Sequence, residues 1–283
     1  SRQVALSPLA GIVAGRLLRL ALASPAGELP GLGTALALSL VTLAPAGALL
    51  GVLFTSLGPV AAAGPGTVAG VTRLHAFEAL GSVAGGGLAT LTVGALLTPV
   101  EGACALGLLG LGLALPAARP GLLGAPGGLR GAAFLLAAAL AAAGPVEILT
   151  ERLRFAGTAP GTPLRSFLET PYQHLAVSGG EIRNLWSNGQ YAGSFPDPWV
   201  NEGLAHLVAC LAPEPGRVLA VGPVERGVLR FLLRHPVRSV TVLSPDRRAL
   251  AFVSALLPPE DRAALGDPRV RVVPEDVRRF LGR

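Results

Sequence analysis

Apolar positions form long unbroken runs over the first 150 residues and short periodic segments after them. Thr34–Leu57 and Ala79–Val100 carry no charge. Gly102–Ala118 is shorter but equally apolar, and Gly131–Val146 is rich in Ala and Leu and ends before Glu147. The front run, Val4–Ala23, holds Arg16 and Arg19 near its end, where long side chains can snorkel to an interface. A helix of about 20 apolar residues crosses a bilayer. The pattern therefore predicts four or five membrane helices over residues 1–150. A very apolar soluble bundle is the competing expectation, but such a bundle rarely offers several runs without a polar face.

After the Gly/Pro-rich stretch Pro160–Pro163, which reads as a linker, the period shortens. Ser166–Val177 and Glu181–Trp186 predict extended chain around Ser178-Gly179-Gly180, a hairpin signal. Ser187-Asn188-Gly189 predicts a second turn, because Asn and Gly both tolerate positive φ. A polar and aromatic stretch, Gln190–Trp199, leads to a helix over Val200–Leu211. Strands follow at Arg217–Gly222, Ser239–Leu243 and Val270–Val273, with helices over Val224–His235 and Arg247–Leu257 and the start of a third after Asp276. Strand–helix repeats of this length predict parallel strands joined by right-handed crossovers. The expected organisation is a multi-pass helical membrane domain over 1–150, a small β domain over 160–200, and a partial α/β domain over 201–283.

Composition sharpens the contrast. The 283 residues are 51% hydrophobic and 14% charged, where soluble domains run near 25% charged. Whole-chain disorder is excluded by this hydrophobicity, and a disulfide scaffold by the presence of Cys104 and Cys210 alone. Six Arg and four Glu lie in residues 1–150, against seventeen Arg and thirteen acids in the rest. That excess suits anionic lipid headgroups. Nucleic acid is not indicated, since neither stacked aromatics nor a recognition helix is visible. With five spans, four Arg fall on each side, so the positive-inside rule sets no orientation. The second half is placed in the cytoplasm because a nucleotide-like ligand would be found there. The chain opens at Ser1 and contains no Met, which reads as a fragment or a processed chain. Gly81 and Gly85, four apart, predict close helix packing in lipid. His75 and Glu78 read as an interfacial polar pair, because one His and one carboxylate make a poor metal site.

In a parallel sheet ligands bind at the carboxyl ends of strands. The candidate positions are therefore Gly222–Gly227, Ser244–Asp246 and Glu275-Asp276. Gly222 opens a turn that would let a ligand approach a helix N-terminus, although an ordinary strand–helix turn would look the same. Asp246 suits ribose hydroxyls or a helix N-cap equally. Asp276 suits an adenine amino group or a cap.

The order of these features resembles the spermidine synthase (polyamine aminopropyltransferase) family, in the form fused to an N-terminal multi-pass membrane domain. LHAFEALGSVAGG (Leu74–Gly86), ETPYQHLAV (Glu169–Val177), NGQYAGS (Asn188–Ser194), RVLAVGPVERGVLRFLLRH (Arg217–His235), SVTVLSPD (Ser239–Asp246) and DPRVRVVPEDVRRFL (Asp267–Leu281) carry the similarity. The resemblance implies aminopropyl transfer from decarboxylated S-adenosylmethionine to a polyamine, leaving methylthioadenosine and requiring no metal. It implies that Gln173 contacts the adenosyl ligand, Gln190 lines the polyamine groove, Glu225 holds the donor amine and Asp276 recognises adenine. The expected location is the inner membrane, with the C-terminal domain cytoplasmic, and a homo-oligomer is compatible with it.

Departures from the family pattern accompany the match. Asn201 stands where the family's helix has His, although Glu202 is kept. Pro223, Val224 and Arg226 replace glycines, and Ser244 replaces the ribose-binding Glu. The family's catalytic Asp would fall beyond Arg283. As it stands the chain is expected not to turn over. The alternatives are a catalytically silent membrane scaffold or ligand sensor, and an S-adenosylmethionine-dependent methyltransferase-like protein.

Overall fold

A computed structural model describes residues 2–21, 28, 30–62, 67–92, 96–114, 126–212, 214, 216–222 and 226–282. The chain divides into two units, Ser1–Gly161 and Thr162–Arg283.

Among the described residues the first unit holds six helices: α1 (Arg2–Ala21), α2 (Leu32–Ala62), α3 (Thr67–Thr92), α4 (Pro99–Ala114), α5 (Pro126–Ala141) and α6 (Ala143–Thr158). The apolar runs do not map onto them one to one. Ala79–Val100 is interrupted: α3 stops at Thr92, and α4 starts with Pro99. Proline suits a first helical position, where its missing N–H has no intrahelical partner. Thr98 and Glu101 complete that start reciprocally. The Thr98 N–H donates to Glu101 Oε2 at 2.8 Å, and the Glu101 N–H donates to Thr98 Oγ1 at 3.3 Å. Gly131–Val146 is broken at Ala142, where α5 and α6 meet at 76°. Among the described residues one helix, over Leu32–Pro59, is long and apolar enough to cross a membrane, or two if the bent α5–α6 pair is one span.

The core of this unit lies where α1 packs on α4 and α6, around Ala5, Val100, Cys104, Leu111 and Leu136. Gly107 permits the approach of α1 to α4, because a Cβ there would overlap the Ala5 carbonyl oxygen and the Leu136 side chain. Helix α2 packs on α1 and α3, and α3 packs on α2; together they leave Leu36, Leu40, Leu43, Phe77, Leu80 and Val83 exposed. A methyl group added at Gly81, Gly85, Gly86 or Gly87 would meet nothing within 4 Å. The close packing expected at Gly81 and Gly85 is thus not made among the described residues.

Arg16 does not snorkel outward. It is buried against α6, where it pairs with Glu147 and, at 2.9 Å, with Glu151. Its Nη1 donates to Thr150 Oγ1 at 2.6 Å. Glu147 also accepts the Val100 N–H at 3.2 Å, and Glu151 pairs with Arg154 at 2.8 Å. Two carboxylates thus face one fully buried guanidinium and a second that is partly exposed.

The second unit opens with an antiparallel meander of β1 (Leu164–Glu169), β2 (His174–Gly179), β3 (Arg183–Ser187) and β4 (Gln190–Phe195). The expected strand Ser166–Val177 is therefore two strands, β1 and β2, joined by a turn at 170–173. Thr170 makes that turn: its hydroxyl accepts the N–H groups of Tyr172 at 3.2 Å and Gln173 at 3.0 Å. The turn at Asn188-Gly189 has both residues at positive φ, 51° and 82°, as the dipeptide demands. Within the polar and aromatic stretch Gln190–Trp199, residues Gln190–Phe195 form β4.

Next come α7 (Pro198–Leu211), β5 (Arg217–Val221), α8 (Val228–Leu232), β6 (Ser239–Leu243), α9 (Arg247–Leu256), α10 (Pro259–Leu265), β7 (Val270–Val273) and α11 (Val277–Leu281). Strands β5, β6 and β7 are parallel, in that order. One core gathers Ala205 and Ala209 of α7, Leu229 and Phe231 of α8, and Val240 and Val242 of β6. A second joins the meander to the α/β layer, with Leu175, Val177, Leu185 and Phe195 packed against Ala249 and Val253 of α9. The outer face of α7 leaves Trp199, Leu204, Leu207 and Leu211 exposed, and Leu219 and Val221 are exposed on β5.

Two carboxylates of this unit are shifted in opposite directions. Burial pushes Asp261 up, with Arg230 opposing that shift. Hydrogen bonds from the side chain and backbone N–H of Arg269 hold Asp267 down. A lowered carboxylate stabilises the fold above its unfolded pKa, and that contribution is lost as pH falls through the folded value. Asp267→Asn should therefore lower the thermal midpoint slightly at neutral pH, and the two proteins should converge in acid. A difference that stays constant across that range contradicts the assignment.

Candidate functional site

The three parallel strands end level with one another. Val221 pairs with Leu243, and Leu243 with Val273, so the segments that follow them emerge along one edge. The meander contributes the facing wall through Leu175, Leu185, Ser187 and Asn188. Between these elements lies a cavity of about 490 Å³, within the 300–1,000 Å³ range of small-molecule sites. Its walls are apolar, from Leu175, Leu185, Val221, Leu243 and Val253. Polar groups converge at its rim.

Four of the six expected site residues meet there: Gln173, Gly222, Asp246 and Asp276. Gln173 Oε1 accepts the Ser187 hydroxyl at 2.9 Å, which fixes the amide orientation and directs its other end elsewhere. Gly222 has φ 101°, a conformation side-chain-bearing residues rarely adopt, so the strand turns there without a side chain over the cavity. Asp276 caps α11 by accepting the Arg278 N–H at 2.9 Å and remains exposed at the rim. Beside it Glu275 pairs with Arg279 at 3.3 Å.

Asp246 is the buried member. Its Oδ1 caps α9, accepting the Ala249 N–H at 3.0 Å, and its Oδ2 accepts the Thr170 hydroxyl at 2.7 Å. A hydroxyl has one proton, and a carboxylate is a stronger acceptor than the Gln173 carbonyl at 2.9 Å. The Thr170 proton therefore goes to Asp246. Of the two uses open to Asp246 in the sequence, the cap is made. Both carboxylate oxygens are engaged within the protein.

Two expected residues are not in the cavity. Gln190 is exposed and does not line it. Glu225, with Pro223 and Val224, lies outside the described residues. Asn201 Nδ2 donates to the Arg226 carbonyl at 3.1 Å. Glu202 faces Arg234 at 3.1 Å and His206 at 3.4 Å on the surface of α7. Tyr172, Ser187 and Asn188 also line the cavity; the sequence places them in the ETPYQHLAV segment and the Ser187-Asn188-Gly189 turn but does not mark them as site residues. Among the described residues no cluster of three or more His, Cys, Asp or Glu is placed to hold a metal.

Comparison with known proteins bears on this half of the chain. Residues 198–283 match the family model "Spermine/spermidine synthase domain". The polyamine aminopropyltransferase of Bacillus subtilis (strain 168) is 35% identical over 112 residues, 38% of this chain and 40% of the relative. That of Desulforudis audaxviator (strain MP104C) is 35% identical over 108 residues, 37% of this chain and 39% of the relative. Among solved structures, the spermidine synthase from Thermotoga maritima aligns over 42% of this chain and 43% of its own, with 20% identity and a TM-score of 0.38. The chain spans about two fifths of the length of the curated relatives it matches. Its second unit is thus similar in sequence to the spermidine synthase family, over a part of each relative.

Proposed function

We propose that the second unit is an adenosyl-ligand domain of the polyamine aminopropyltransferase type, carried by a helical unit seated in a lipid bilayer. The observation that carries the first clause is the cavity at the level ends of β5, β6 and β7, where Gln173, Gly222, Asp246 and Asp276 converge. An apolar slot with a few rim polar groups suits a nucleoside: the base fills the slot, and rim acceptors take its N–H and O–H groups. By resemblance the donor is decarboxylated S-adenosylmethionine, the product methylthioadenosine and the acceptor a polyamine. Titration calorimetry of the chain in detergent with methylthioadenosine should give a saturable isotherm. The absence of heat at millimolar ligand, with the chain folded by circular dichroism, contradicts the proposal.

The bilayer clause rests on α2 and α3. They expose Leu36, Leu40, Leu43, Phe77, Leu80 and Val83 to whatever surrounds them. Contiguous apolar surface of this kind marks a membrane or partner contact. An inner-membrane location with the second unit in the cytoplasm would place that unit beside its ligand. The chain should stay in the membrane pellet through alkaline carbonate extraction, and release into the supernatant contradicts this.

A second reading, ligand binding without turnover, is favoured by the state of the acids. Among the described residues the carboxylates lining the cavity are Asp246, Glu275 and Asp276, and each is engaged by a cap, a hydroxyl or an arginine. General-base catalysis of amine attack needs a carboxylate within hydrogen-bond reach of the amine proton. A chain that binds methylthioadenosine yet forms no spermidine from putrescine and the donor fits this second reading.

A further inference from the structure

The helical unit holds a cavity of its own, about 400 Å³, bordered by α1, α2 and Arg154 of α6. Arg16 and Arg154 both line it, and no Asp or Glu is among the described residues that do. Glu147 and Glu151, which pair with these arginines, are outside the lining. A guanidinium carries five N–H donors. Arg16 directs three of them to Thr150, Glu147 and Glu151, which leaves two. Arg154 directs its Nε and one Nη2 donor to Glu151, which leaves three. The hydroxyls of the lining have no proton to offer: Ser7 donates to the Val4 carbonyl at 2.8 Å, and Thr42 to the Leu38 carbonyl at 2.8 Å. Among the lining side chains only the two arginines can therefore donate to a bound group. The other walls are apolar, from Pro8, Ile12, Leu43 and Ala46. From Leu43 an exposed apolar stripe runs along one face of α2 through Leu36, Leu40 and Leu50, at helical spacing.

We infer that this cavity binds a phosphate group, the chemistry shared by an anionic lipid headgroup and the free ion. A phosphodiester carries acceptors and no donor, which complements a lining whose side chains donate only from guanidinium groups. Planar guanidinium forks take phosphate oxygens in pairs. Because Glu147 and Glu151 balance the two cations, the attraction is local and comes from charge-assisted bonds at the lining. The apolar walls and the stripe on α2 favour the lipid as source, with an acyl chain lying along Leu43 and Leu40. Both arginines are within about 8 Å of a helix end, at a rise of about 1.5 Å per residue, and basic pockets between helices hold headgroups at that level. The lipid source rests on the bilayer reading of this unit, whereas the phosphate site does not.

Calorimetry of the full chain in micelles of an uncharged detergent tests this with three probes: dioctanoylphosphatidylglycerol, dioctanoylglycerol and inorganic phosphate. The phosphatidylglycerol should bind saturably and about tenfold or more tightly than dioctanoylglycerol, the range for hydrogen bonds to a charged group. Equal binding of those two overturns the inference, as does the absence of saturable binding by both phosphate-bearing probes. Inorganic phosphate should bind about tenfold or more weakly than the phosphatidylglycerol; equal affinity keeps the phosphate site and assigns it to the free ion. Arg154→Gln should weaken phosphatidylglycerol binding about tenfold. Gly11→Leu should abolish it by filling the cavity: a Cβ there meets nothing nearer than the Thr42 carbonyl oxygen at 3.9 Å, and Leu favours a helix over Gly. Binding unchanged in both variants overturns the inference. The comparison of probes on the wild-type chain decides even where a variant does not fold. A chain that carbonate releases from membranes, yet that binds the phosphate-bearing probes, loses the bilayer reading and keeps the site. A chain that stays in the membrane and shows no preference for them loses this inference alone.

Discussion

Arg16→Met should destabilise the helical unit by about 3–5 kcal/mol, the cost of stranding a buried charge. Methionine matches the length of the arginine stem but leaves Glu147 without its cation and Thr150 without a donor from α1. Glu151 keeps Arg154, so Glu147 bears most of the loss. Glu147→Gln in the same chain should recover much of it, because a neutral amide is far cheaper to bury than an unpaired carboxylate. Unfolding of both variants by sodium dodecyl sulfate in mixed micelles measures the effect. A loss below about 1 kcal/mol, the usual worth of an exposed ion pair, contradicts a buried role for this cluster.

Asp246→Ala should cost the second unit about 2.5–4 kcal/mol. Loss of the α9 cap contributes about 1 kcal/mol, and loss of the charge-assisted bond from Thr170 about 1.5–3 kcal/mol. Thr170→Val removes the same bond from the other side and also strands the N–H groups of Tyr172 and Gln173. The two substitutions share a partner, so their joint cost should fall short of the sum by about 1 kcal/mol or more. Thermal unfolding of the two single variants and the double variant reads this directly. Full additivity contradicts the Thr170–Asp246 link. Both variants should also weaken methylthioadenosine binding, because Asp246 lines the cavity and Thr170 sets the turn that carries Gln173.

Where local chemistry decides the conformation, the sequence was readable. Asn188-Gly189 needs positive φ at both residues and has it, and RVLAV, SVTVL and VRVV run as parallel strands that end level, although only SVTVL is largely buried. The carboxyl ends of those strands are where Gly222, Asp246 and Asp276 meet. Where a single long-range partner decides, the sequence was silent. Thr170 looks like one more strand residue until its hydroxyl is seen to form the turn at Tyr172 and Gln173 and to reach Asp246, 76 positions away. Arg16 looked like a snorkelling residue because its carboxylate partners lie more than 130 positions later. The break at Ala142 and the stop at Thr92 fall inside apolar runs, where hydropathy cannot distinguish one long helix from two short ones. Gln190 was assigned by resemblance, and its strand turns it to solvent.

Photo-crosslinking with an azido-adenosine ligand, followed by peptide mapping, tests the adenosyl cradle most directly. Labels should fall on Tyr172-Gln173, on Ser244–Asp246 or on Glu275–Val277, which line the cavity from three separate segments, and methylthioadenosine should compete them away. Labels confined to the helical unit, or scattered and unaffected by methylthioadenosine, contradict the account.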